Sequence, residues 1–105
     1  MDKWEQIRRI EEMEKRLNVS LSAVHALDRA LEEYQAALED MQILADYPSS
    51  PDWRTDFEAD ETGLLPPDLR RGVLSEDGIS HLLEENDSLR DAILELGENL
   101  EHPLC

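Results

Sequence analysis

The chain has 105 residues, with ten Lys and Arg against 26 Asp and Glu, a formal charge of −16. That balance disfavours direct contact with nucleic-acid phosphates or anionic lipid through simple repulsion, and favours a basic partner. The length allows one domain, and scarce Gly with abundant Leu, Ala and Glu excludes a sandwich or barrel in favour of helices.

Asp2, followed by Glu5, reads as an N-cap with a capping box. A helical pattern then runs to Asp46 without Gly or Pro, giving an expected long helix over 2–46. With Ile10 at heptad position a, the a/d seam continues through Met13, Leu17, Ser20, Val24, Leu27, Leu31, Tyr34, Leu38, Met41 and Ala45. Ser20 alone breaks it, and Leu21, Ala30, Ala37 and Leu44 widen the apolar stripe. Such sustained three-four alternation marks a helix that packs lengthwise against another helix. Asn18-Val19-Ser20 has weak helix propensity, so a bend or break is expected there.

Pro48 closes the long helix, and residues 47–74 read as a connector containing a short helix. Ser50-Pro51 has the pattern of an N-cap followed by proline at the first helical position. Trp53 and Phe57 then share one face of a short helix reaching Glu61, which Gly63 stops. These aromatics are expected to anchor the connector. One further helical turn is expected over Pro67–Arg71, closed by Gly72. Arg54, Arg70 and Arg71 are the only bases between Pro48 and Ser80, among eight carboxylates. Because Arg pairs bidentately with carboxylate, they are expected to pin the connector.

Ser75 caps the last element, expected over 75–101, with Glu76 and Asp77 favouring the helix dipole. Its seam runs Ile79, Leu82, Asn86, Leu89, Ile93, Leu96 and Leu100, with Gly97 weakening the end and Pro103 terminating it. Asn86 at an a position can specify register by pairing with another polar group, or it can sit at the rim. The expected fold is all-α: a long N-terminal heptad helix, a connector, and a C-terminal helix returning as an antiparallel hairpin or coiled coil. The second helix covers only part of the first, so a homodimer is expected.

The connector block Asp52-Trp53-Arg54-Thr55-Asp56-Phe57-Glu58-Ala59-Asp60-Glu61 leads through Gly63-Leu64-Leu65-Pro66 into Asp68-Leu69-Arg70-Arg71-Gly72-Val73-Leu74-Ser75-Glu76-Asp77-Gly78. This resembles a family of short, acidic, helical bacterial proteins known as a domain of unknown function. In that family a long acidic helix precedes such a block, and a final helix follows it. The resemblance implies a bacterial or phage-borne intracellular protein with this layout, and implies no catalytic role for any residue.

Reactive constellations are missing from the sequence. There is no glycine-rich phosphate loop, paired-cysteine motif or recognisable nucleophile–base set, so an enzyme is not expected. His25, His81 and His102 are isolated and read as surface residues. Asp56, Glu58 and Asp60 mimic the start of a calcium loop, but Glu61 and Pro67 stand where it needs glycine and a carboxylate. No metal or other cofactor is expected. The sole cysteine, Cys105, permits no intrachain disulfide, and no apolar run reaches membrane-spanning length; the expected address is the cytoplasm. Two functions remain: a protein–protein interaction or scaffold module, or an acidic nucleic-acid mimic that occupies the basic groove of a DNA- or RNA-binding protein. The mimic is motivated by charge spread at −5 over Met1–Tyr47, −5 over Pro48–Ser80 and −6 over His81–Cys105.

Overall fold

The computed structural model describes residues 2–75 and 77–101, all helical or irregular, with no strand among them. Three α-helices follow in order: α1 (Lys3–Asp46), α2 (Pro51–Glu61) and α3 (Gly78–Asn99). One 3-10 turn, Tyr47–Ser49, joins α1 to α2, and another, Gly72–Leu74, precedes α3. The chain divides into two compact units, Met1–Glu39 and Asp40–Cys105.

The first unit is α1 up to Glu39. Asp2 caps its start as expected, while the capping box with Glu5 is not among the bonds formed by the described residues: the Trp4 amide donates to Asp2 Oδ1 at 3.2 Å, and the Gln6 amide to the Asp2 carbonyl at 3.1 Å. No break occurs at Asn18-Val19-Ser20, because α1 is helical through these residues. Three modest propensities are outweighed by strong helix formers on both sides.

The second unit contains the end of α1, both 3-10 turns, α2 and α3. Pro48 falls inside the first turn, where it has no amide to continue the α1 ladder. Ser50 adopts extended backbone angles (φ −87°, ψ 156°), and its hydroxyl accepts from the Trp53 amide at 3.1 Å. The same hydroxyl donates to the Tyr47 carbonyl at 2.6 Å, so one side chain both ends the turn and starts α2. Helix α2 closes in a Schellman motif. Gly63 takes φ +72°, the Leu64 amide donates to Ala59 O at 3.0 Å, and the Gly63 amide to Asp60 O at 3.2 Å. Gly63 is the only described residue with positive φ, which a side chain at that position would resist.

The helical turn expected over Pro67–Arg71 is absent. A single turn closes there instead, with the Leu69 amide donating to Pro66 O at 3.1 Å, and Gly72 opens the next 3-10 turn rather than ending one. Helix α3 spans Gly78–Asn99, inside the expected 75–101, yet Ser75 still serves its N-terminus. The Ser75 hydroxyl accepts from the Gly78 amide at 3.1 Å and donates to Gly72 O at 2.7 Å. The expectation for Glu76 falls outside the described residues.

Among the described residues only Leu74 and Ile79 are buried, each 7% exposed. Counted from the Ser75 cap they occupy N′ and N4, the spacing of a hydrophobic staple. Around them α2 packs on both 3-10 turns, and α3 on Gly72–Leu74. Half-buried Met41, Leu44, Ala45, Trp53, Phe57, Leu65, Leu82 and Leu83 complete a small core around the connector.

Candidate interaction surface

The long helix presents the largest set of uncovered apolar side chains. Leu17 is 51% exposed, Val24 63%, Leu27 51%, Leu31 41% and Leu38 44%. Ile10 and Met13 are also exposed, while Tyr34 and Met41 are half-buried. The helical repeat places these a and d residues on one stripe, so one face of α1 is apolar over about eight turns. Leaving such a stripe in water forfeits about 25 cal/mol per Å² of apolar surface that a partner could cover.

The seam of α3 divides in two. Ile79 is buried and Leu82 and Asn86 are half-buried, whereas Leu89, Ile93, Leu96 and Leu100 are exposed. The first two turns of α3 are therefore fixed in the connector core, and the rest offers a second apolar face. An open hollow lined by Leu44, Val73, Ile79 and Leu82, with Arg70 at its edge, marks where the end of α1 meets the start of α3.

Polar bonds hold the connector in shape. The Tyr47 hydroxyl donates to Asp56 Oδ2 at 2.5 Å, joining the first turn to the middle of α2. Donating to a carboxylate pushes the Tyr47 pKa up to about 12, with burial and the charges of Asp56 and Asp52 acting in the same direction. Arg71 donates through Nη1 to Asp60 Oδ1 at 2.5 Å, tying the segment before the second turn back onto α2. The Trp53 and Phe57 rings stack with centroids 4.9 Å apart and planes 16° apart, one turn from each other. Arg54 and Arg70 are exposed and make no ion pair among the described residues.

Two participants in this core were not singled out from the sequence. Tyr47 bonds a residue nine positions away, a pairing no local motif announces. Leu74 carried a readable signal: a leucine immediately before a capping serine, with isoleucine four positions after the cap. Among the described residues no set of three or more His, Cys, Asp or Glu converges as metal ligands would. His25 and His81 are exposed, with His81 Nε2 3.2 Å from Glu85 one turn on, and His102 lies outside the described residues. No helix among the described residues is long and apolar enough to cross a membrane.

No curated protein matches the chain, and no solved structure does. One family model matches residues 10–96, which takes in most of α1, the whole connector and most of α3. The chain belongs to the family described as "Domain of unknown function (DUF4298)".

Proposed function

We propose that this chain is a non-catalytic protein–protein interaction module that assembles through the apolar seam of α1. The observation that carries the reading is the row of exposed large apolar residues at heptad spacing on that helix. The exposed Leu89, Ile93 and Leu96 of α3 offer a second apolar row of the same kind. The module's first partner is a second copy of itself, and the acidic faces outside the seam keep the assembly soluble and away from nucleic acid. Apart from Asp56 and Asp60, which hold the connector, the carboxylates and histidines then serve as solvated surface, with no catalytic duty.

Light scattering at low and high salt tests this reading. A mass of two chains that persists at high salt, and that falls to one chain in Leu31→Asp, supports assembly by apolar burial. A single-chain mass at micromolar concentration under both conditions, or an assembly that Leu31→Asp and Leu38→Asp leave intact, overturns it.

One observation favours a second reading. The charge of −16 is spread through the chain, as a row of phosphates would be. A nucleic-acid mimic of this kind competes with DNA for a basic DNA-binding protein, and the competition collapses steeply with salt. Equal failure to compete at low and high salt removes the mimic.

A further inference from the structure

The second unit, Asp40–Cys105, contains a hollow that its own side chains leave open. Leu44 from the end of α1, Val73 from the second 3-10 turn, and Ile79 and Leu82 from the start of α3 wall about 370 Å³ of space. Gly72 and Gly78 complete the wall with no side chain to fill it. Val73 is 42% exposed, so apolar surface at this edge still meets water.

Arg70 stands at the edge, and no residue that lines the hollow is acidic. A neighbouring hollow shares Arg70 and Val73 and adds two further charges, Asp56 and Arg71. Both of those are engaged, Asp56 by the Tyr47 hydroxyl and Arg71 by Asp60. Arg70 forms no ion pair among the described residues, although six carboxylates share the connector with it. The two hollows therefore offer apolar walls with one free cation between them.

From this arrangement we propose that the hollow is a docking point for a partner protein, which seats an aliphatic side chain against Val73, Ile79 and Leu82 and sets a carboxylate of the same segment on Arg70. Covering the apolar wall supplies the attraction. The guanidinium supplies orientation, because it can donate two parallel bonds to one carboxylate. The contact does not require that the chain pair with itself, so it stands or falls apart from the reading above.

The shape favours a protein over a free small molecule. Small ligands are held where most of their surface is enclosed, and this hollow faces water on one side. A side chain carried by a protein has its outer face covered by its own chain. Charge favours a foreign partner over a second copy. Residues 40–105 carry four basic against 17 acidic residues, a balance of −13, which a second copy would bring to the same contact. A partner with few charges needs only the one carboxylate that Arg70 lacks.

Methyl-resolved NMR of the full chain tests the site with N-acetyl-leucine, which joins an aliphatic side chain to a carboxylate, and with N-acetyl-leucinamide as its uncharged match. The expected result is saturable movement of the Val73, Ile79 and Leu82 methyl signals, with a Kd of about 1–10 mM for the acid. The amide should bind about two- to fivefold more weakly, and Arg70→Gln should weaken the acid by the same factor and leave the amide unchanged. Val73→Ser, at an exposed position that the fold does not depend on, should weaken both probes. Absence of saturation by about 50 mM, or equal binding of acid and amide to the unaltered chain, overturns the site. Decanoate held about a hundredfold tighter than N-acetyl-leucine marks a free amphiphile as the occupant. Methyl signals of the hollow that move on diluting the chain alone mark a second copy. Either of these results overturns the partner protein.

Discussion

The bond between Tyr47 and Asp56 gives the connector a pH response. A phenol that donates to a carboxylate holds its proton more tightly in the folded chain, so its pKa rises from 10.0 to about 12. The contribution to stability is whole below pH 10, declines as pH rises and is gone above about 12. Melting temperature should therefore fall across that range, and the fall should be shallower in Tyr47→Phe. Tyr34 is common to both proteins, so the difference between the two curves reports Tyr47. Parallel curves would mean that the hydroxyl does not hold Asp56. Gly78 makes a second residue-scale demand. A Cβ there would run into the Gly72 carbonyl oxygen, which already accepts from the Ser75 amide and hydroxyl. Gly78→Ala should cost about 1–3 kcal/mol in urea unfolding, since the obstructing atom is backbone and moves only with the turn. Gly97, in the same helix, has open space around it, so Gly97→Ala should add about 0.5–1 kcal/mol. Opposite signs for the two alanines check the packing directly; equal effects would show that Gly78 is only a propensity defect.

At the scale of elements, two serines do the same work at two junctions. Ser50 starts α2 and ends the Tyr47–Ser49 turn, while Ser75 satisfies the Gly78 amide and braces the Gly72–Leu74 turn. Replacing either with alanine removes a cap and a brace together and should cost about 1–2 kcal/mol in chemical denaturation. Ser75→Ala should be the costlier of the two, because it loosens the entry angle that buries Leu74 and Ile79, the only buried pair among the described residues. A loss below about 0.3 kcal/mol for both would show that backbone bonds alone hold these junctions. Both serines were readable in advance, one from the proline after it and the other from its place before an apolar-periodic run. The turn expected over Pro67–Arg71 rests on Gly72, which follows it as a helix-ending glycine would. The structure uses Gly72 to begin a 3-10 turn, and its carbonyl faces Gly78, a meeting decided by two elements at once.

For the whole molecule, the balance lies between a small core and a long uncovered seam. A chain with two buried residues among those described has little apolar burial to set against the entropy of ordering its helices. Covering the α1 stripe with a second copy adds the missing burial, so melting temperature should rise with protein concentration. Scans of dilute and concentrated samples check this, and superimposable curves would remove assembly as the source of stability.

The sequence by itself determined the helical class, the extent of α1 and the stop of α2 at Gly63, because heptad periodicity, caps and a left-handed glycine are local signals with local physical causes. It also marked Trp53 and Phe57 as a pair one helical turn apart. Only the tertiary structure decided that Asp56 receives Tyr47, that Asp60 receives Arg71 while Arg54 and Arg70 stay in water, and that burial centres on Leu74 and Ile79. Those choices depend on which turns meet in space, and with six carboxylates and three arginines in the connector, many pairings satisfied the composition equally well.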